Sequence, residues 1–314
     1  MFDVHTHFVP TAVIEWVRRE ADTIRAVFER RDPAKAEFLI VNGKWGFELK
    51  PTFIEADRYL SELDQAGVEY ALVSPIPQLF AYEFEPAITT ALCEVYNRAL
   101  ADWVQQHPGR LGALATVPLN APEQAARTLE AAMALGLRGA IVAPGLGHQL
   151  ISDDAFLPFF EAANQLRAIV FIHPLLNEDP RVQKRMMPQL IGVPWETTLA
   201  ATDLILSGRL DQFPAVRILL AHGGGYLPYQ LGRLTQGYAR WAPVRAALAA
   251  PPEEYLKRLW YDSVLWDARA LEFLVSVVGA ERVLPGSDYP FDLSVWPPVE
   301  VPGSGVRRFL DGEG

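Results

Sequence analysis

Cysteine is nearly missing from this chain. A single one in 314 residues, Cys93, excludes any intramolecular disulfide and suits a reducing compartment. Long apolar runs are missing too. No stretch reaches the roughly 18 apolar residues that a membrane-spanning helix needs. Positive charge is in short supply, with 28 Lys and Arg against 38 Asp and Glu and a formal net charge of −10. Such an acidic surface argues against nucleic acid and anionic membrane as partners. An anionic substrate must therefore be drawn in by a local patch. No basic-then-apolar leader stands before the first strand-like run at residues 2–8, so the expected location is cytoplasmic. Apolar side chains are plentiful, at 50% of the chain with 8 Trp, 10 Tyr and 16 Phe. That supply can fill a large core, and one domain over residues 1–314 is expected.

Eight short strand-like runs lie at residues 2–8, 70–75, 111–118, 139–144, 168–173, 216–222, 259–264 and 282–288. Most are continuously apolar, as strands buried on both faces are. Amphipathic stretches with 3.6-residue spacing separate most of them, at 52–66, 86–106, 121–135, 153–164, 197–210, 225–238 and 267–278. Alternation of this kind predicts an α/β protein, a (β/α)8 TIM barrel, with an open doubly wound sheet as runner-up. The segment between the first two strands is long. It carries a helical pattern near 12–30 and a hairpin pattern at 38–47 with Asn42-Gly43 at its turn. This reads as a small cap insertion, about 10–68, with Trp45 placed to cover a ligand. The last residues, 290–314, are rich in Pro and Gly and show no amphipathic final helix.

Histidine is scarce as well, six in all, yet four of them form a pattern. His5 and His7 stand at i and i+2 on one strand, so both point to the same face. His173 ends the fifth apolar run and His222 the sixth. Ser287 and Asp288 end the eighth. Active sites of such barrels lie at the carboxyl ends of their strands, where all of these residues fall. Closing the barrel brings the first and last strands together. Three imidazoles and a carboxylate make an N/O ligand set for which Zn2+ is the first candidate, with Mn2+, iron or cobalt possible. His5, His7, His173 and Asp288 supply the four ligands and leave a position for water or substrate. A bound ion would lower the pKa of its water and polarise a substrate carbonyl or carboxylate. His222, followed by Gly223-Gly224-Gly225, would be the catalytic acid or base, and Asp288 serves catalysis as well as ligation.

Other candidates have plainer readings. His107, before Pro108-Gly109, suits a helix carboxyl end. His148 lies in the loop after the fourth strand, where it is either mouth-lining or surface. Cys93 falls on the apolar face of a helix, as a core residue. Thr197 reads as the N-cap of the helix that follows it, beside Glu196, a polar residue in an apolar stretch.

These residues together resemble the metal-dependent amidohydrolase superfamily, and within it the aminocarboxymuconate-semialdehyde decarboxylase-like branch. The resemblance is carried by His5-Thr6-His7-Phe8-Val9-Pro10, by Phe171-Ile172-His173-Pro174, by Gly192-Val193-Pro194-Trp195-Glu196-Thr197-Thr198, by the run from Ser207 through Phe213-Pro214 to His222-Gly223-Gly224-Gly225-Tyr226-Leu227-Pro228, and by Gly286-Ser287-Asp288-Tyr289-Pro290-Phe291. It extends over residues 1 to about 292. It implies non-oxidative loss of CO2 from a small unsaturated or aromatic carboxylic acid, with His222 as acid or base. The alternative on this scaffold is a hydrolase or hydratase of a lactone or enol acid, with water on the metal as nucleophile. The resemblance further implies cations for the substrate carboxylate. Lys50 stands where relatives carry an Arg, Lys44 on the cap is another, and Arg240 matches an Arg that relatives lend across a homodimer interface. Two departures are visible: Gln189 replaces an aromatic residue, and the final helix with its Gly-Asn-Ala motif is absent.

Overall fold

The structure, a computed structural model, describes all residues except 45, 247, 313 and 314. Trp45, the expected ligand cover, therefore lies outside the described residues.

Eight parallel strands carry the fold. They are β1 (Phe2–His7), β2 (Tyr70–Ser74), β3 (Leu111–Ala113), β4 (Gly139–Val142), β5 (Ile169–Ile172), β6 (Arg217–Leu220), β7 (Trp260–Asp262) and β8 (Val283–Leu284). One three-stranded sheet has the order β1-β2-β3, and a five-stranded sheet runs β8-β7-β6-β5-β4. Ile-Val-Phe-Ile of β5 is buried throughout, as expected of a parallel strand covered on both faces. Register is tight: Ile172 pairs with Val142 on one side and Leu220 on the other. His173 therefore leaves the sheet one residue beyond the last β5 pair.

Backbone hydrogen bonds also join the two sheets. The amides of Val4 and His7 donate to the carbonyls of Pro285 and Tyr289, and those of Ser287 and Asp288 to His5. At the other seam, Ala115 donates to Gly139 and Ile141 to Ala115. The eighth strand is shorter than the run at 282–288 predicts. Pro285 has no N–H to give a ladder, and the chain beyond it bonds to β1 at single points instead. The third strand likewise stops at Ala113.

Helices follow the strands, and prolines start many of them. Pro86, Pro122, Pro158, Pro194 and Pro228 each occupy the first or second helical position, where a missing N–H costs nothing. Two expected helices are broken. The one at 52–66 divides at Glu55, which is extended, into Pro51–Ile54 and Ala56–Gln65. The one at 197–210 becomes Val193–Leu206 and Arg209–Gln212, with Gly208 at φ +74 turning the chain between them. Thr197 is consequently not an N-cap. It lies inside Val193–Leu206, and its hydroxyl donates to the carbonyl of Val193. Among the described residues no helix is long and apolar enough to cross a membrane.

The insertion between β1 and β2 departs from expectation in one place. Its helix ends at Arg19. Ala26–Glu29 is instead a strand, antiparallel to Phe38–Val41, which pairs in turn with Phe47–Glu48. Arg25 takes φ +51, which no helix continues through. Asn42 and Gly43 both have positive φ, as the turn chemistry requires.

A final helix does exist, Val306–Asp311. Phe309 is fully buried with its ring centroid 5.1 Å from that of Trp260 in β7, and Arg217 at the start of β6 donates to the carbonyls of Phe309 and Leu310. Truncating Phe309→Ala should lower the unfolding free energy by about 3–5 kcal/mol, measured by urea denaturation. A loss under about 1 kcal/mol would show that this helix adds little to the core.

Candidate active site

His5 and His7 in the last half of β1 converge with His173, His222 and Asp288, which follow β5, β6 and β8, and all five are buried. Ring centroids of His5, His7 and His173 lie 5.1–5.2 Å apart. The Nε2 atoms of His5 and His7 are each 3.2 Å from Asp288 Oδ1. Metal–ligand bonds of about 2.0–2.2 Å put neighbouring ligand atoms roughly 3–3.5 Å apart, so this spacing suits one ion.

The orientation of the rings suits it too. Each ring is held by its Nδ1: His5 by Asp262 Oδ2 at 2.5 Å, His7 by the Pro75 carbonyl at 3.1 Å, His173 by the Pro174 carbonyl at 3.0 Å. Their Nε2 atoms and Asp288 Oδ1 are shielded from solvent without a hydrogen-bond partner. Four orphaned polar atoms at one point would be costly unless something satisfies them. A divalent cation does so, and holding the remote ring nitrogen is how proteins orient histidine ligands.

His222 stands differently. Its Nε2 is 3.6 Å from Asp288 Oδ2, and its ring lies nearly parallel to the Trp266 indole, 16° apart at a centroid distance of 6.0 Å. One ligand-type atom from each of His5, His173, His222 and Asp288 fits within 4.8 Å of the others, a grouping that holds His222 in place of His7. Both sets share His5, His173 and Asp288. The two free Nε2 atoms at 3.2 Å from one carboxylate oxygen favour His7 as the fourth ligand.

Electrostatics agree with a cation site. Burial holds His173 and His7 below the usual imidazole range, so both are neutral and able to ligate. For His5 burial acts the same way, but Asp288 and Asp262 outweigh it and push the group up to about 10, so an ion must displace the proton on its Nε2. Burial would raise Asp288, yet the surrounding imidazoles keep it well below the usual carboxylate range and ionised.

Two carboxylates here escaped the sequence reading. Asp262, last in β7, accepts from His5 Nδ1 and from the backbone amides of His222, Gly223 and Val264. Asp3, inside β1, accepts from the Ser287 hydroxyl at 2.5 Å and from the amides of His5 and Ser287. Burial raises Asp3 to about 7 against these bonds. His222 and Asp288 both take positive φ, +55 and +62, a conformation that costs a non-glycine residue about 1–3 kcal/mol. The amides held by Asp262 and Asp3 stabilise that backbone. Asp262 could have been found, because a charged residue closes an apolar run there just as at His173, His222 and Asp288.

The expected substrate cations are placed less favourably. Lys50 Nζ is 2.5 Å from Asp292 Oδ1 and 3.5 Å from the Pro290 carbonyl. Lys44 is paired with Glu178 at 2.8 Å. Arg240 is exposed in the last turn of Leu227–Arg240 and is no partner of the cluster. His148 is exposed at a turn, His107 is a helix C-cap, and Cys93 is buried. Glu196 pairs with Asn177, and burial raises its carboxyl. If Asp262 positions His5, Asp262→Asn should weaken metal affinity roughly 10–100-fold, read by competition with a chelating indicator. Unchanged affinity would reduce Asp262 to a backbone clamp.

Comparisons with known proteins show the family and the fold. The chain is 31% identical to the 2-amino-3-carboxymuconate-6-semialdehyde decarboxylase of Dictyostelium discoideum, over 98% of this chain and 86% of that one. Its fold matches the IDCase of Metarhizium anisopliae in apo form, with TM-score 0.81, 24% identity, and coverage of 92% and 84%. It also matches a 5-carboxyvanillate decarboxylase of Novosphingobium aromaticivorans complexed with manganese and 4-hydroxy-3-methoxy-5-nitrobenzoic acid, with TM-score 0.75, 22% identity, and coverage of 93% and 87%. The amidohydrolase family model spans residues 2–303, from the first strand to the edge of the final helix, and the chain belongs to that family.

Proposed function

We propose that this protein is a metal-dependent, non-oxidative decarboxylase of a small unsaturated or aromatic carboxylic acid. The observation that carries the reading is the buried convergence of three Nε2 atoms and Asp288 Oδ1 beside His222. The activity named for the Dictyostelium relative, similar along nearly the whole chain, supports it. His5, His7, His173 and Asp288 are the proposed ligands. Zn2+ is the first candidate, and the manganese of the Novosphingobium enzyme makes Mn2+ the second.

A divalent ion at this point supplies Lewis acidity toward the oxygens of the substrate. The protein's own groups do the rest. Asp262 and the Pro75 and Pro174 carbonyls hold three imidazoles in one orientation. His222 delivers a proton to the carbon that bears the carboxylate. The bond to the carboxylate then breaks, its electron pair returns to the carbon skeleton, and CO2 leaves. His222 regains its proton from solvent. Lys50, beside the Pro290 carbonyl, is the proposed partner of the substrate carboxylate and would have to leave Asp292 to serve it, as Lys44 would have to leave Glu178.

The scaffold reading goes with this. The two sheets close into one (β/α)8 barrel, a single domain over 1–314, supported by the bonds linking β1 to 285–289 and β3 to β4. Residues 10–68 cap it, supported by ion pairs from Lys44 and Lys50 to Glu178 and Asp292 in the segments following β5 and β8. A homodimer that brings Arg240 to a partner's site is supported by Tyr229 and Trp241, exposed at 80% and 60% on and beside the same helix.

Protein loaded with zinc or manganese should release CO2 from muconate-semialdehyde or hydroxybenzoate-type acids, and His222→Ala should lower kcat at least about 100-fold while retaining metal. Opening of a lactone by the loaded protein with no CO2 from any acid would overturn the proposal. Metal affinity should fall steadily as the pH drops below about 10, since the proton held by His5 competes for its Nε2. Affinity unchanged from pH 8 to pH 5 would contradict histidine ligation.

A further inference from the structure

The chain from Asp262 to Trp266, at the end of β7, holds His222 at several points. Asp262 accepts from the amides of His222 and Gly223. Leu265 packs where Gly223 has no side chain, since a Cβ there would stand 2.7 Å from Leu265 Cδ2. Trp266 lays its indole nearly parallel to the His222 ring, 16° apart with 6.0 Å between centroids, within the range of offset aromatic pairs.

The His222 ring lacks the hold that its neighbours have. Nδ1 of His5, His7 and His173 each has an oxygen partner, which fixes the ring. Nδ1 of His222 is shielded from solvent and has no hydrogen-bond partner among the described residues. Its Nε2 is 3.6 Å from Asp288 Oδ2, longer than a normal hydrogen bond. His5 and His173 meet the ring steeply, at 60° and 69°. The indole is the flat surface along which it lies.

Trp266 is itself tied down in an unusual place. It is 57% exposed and takes φ +54, rare for a bulky side chain. The Asp267 amide closes a tight turn across it to the Leu265 carbonyl. Its Nε1 donates to the Leu293 carbonyl at 2.6 Å. The indole thereby joins the segment that holds His222 to the segment that presents Asp288. Rare backbone conformations persist where the surroundings hold them, and they cluster at functional sites.

We infer that Trp266 is a positioning residue whose indole face orients the His222 ring where the other histidines have a bond at Nδ1, with the Leu293 carbonyl fixing the indole. This rests on the decarboxylase reading, in which His222 moves the proton.

Zinc-loaded wild type, Trp266→Leu and Trp266→Phe test this through CO2-release kinetics and NMR of the histidine ring protons, with His222→Ala to assign the His222 signals. Both changes fall on a half-exposed side chain outside the core. The ring current of the indole displaces the His222 signals in the wild type. Trp266→Leu should abolish that displacement and lower kcat roughly 10- to 100-fold, with a smaller change in KM and zinc content unchanged. Trp266→Phe keeps a ring face without the Nε1 bond and should recover part of both. His222 signals that stay in place in Trp266→Leu would overturn the inference, as would unaltered kcat in both variants. Displaced His222 signals that relax in Trp266→Leu, in protein that releases no CO2 from any acid, would support the placement of the ring and sink the decarboxylase reading alone.

Discussion

Asp262 grips four hydrogens at once. His5 Nδ1 and the amides of His222, Gly223 and Val264 all point at its two oxygens. Taking a carboxylate out of water costs several kcal/mol, and only a full set of partners offsets it. Here the set is full, so Asp262 stays ionised although completely buried. Its geometry then propagates outward. It turns the His5 ring so that Nε2 faces Asp288, and it holds the unusual backbone of His222. Asp3 plays the matching part at the seam, where its bonds to Ser287 and the His5 amide steady the turn that presents Asp288.

Around these two buried acids the cluster is charge-ordered. Neutral His7 and His173, an ionised Asp288 and a His5 whose charge Asp262 and Asp288 support gather ligand atoms that a divalent ion can take up once it displaces the His5 proton. That is a cation's environment, and a poor one for an anion alone. An ion bound there would offset this charge for an incoming acid. The acidic surface and the paired lysines make the same demand from outside, since both nearby ammonium groups already face carboxylates.

Much of this was legible in the residues, because one pattern repeats. Buried apolar runs that end in a charged or imidazole side chain marked β1, β5, β6 and β8, and the strands formed there. Asp262 obeys the same pattern on β7 but sits in no motif that marks a ligand, and Asp3 is hidden one turn of the strand behind His5. Other misses are failures of locality. Ala26–Glu29 continues a helical pattern and becomes a strand only because Phe38–Val41 pairs with it. The final helix has six residues, too few for periodicity to show, and is fixed by Arg217 and Trp260. Lys44 and Lys50 read as free cations because their partners lie 134 and 242 residues away in sequence.

The central claim is that His5, His7, His173 and Asp288 hold one divalent ion while His222 does not. X-ray absorption at the metal edge tests it most directly, on zinc-loaded wild type and on the His7→Ala and His222→Ala variants. The account predicts scattering from three imidazoles in the wild type, one fewer in His7→Ala, and no change in His222→Ala. Loss of an imidazole in His222→Ala with His7→Ala unchanged would contradict it and exchange the roles of the two histidines.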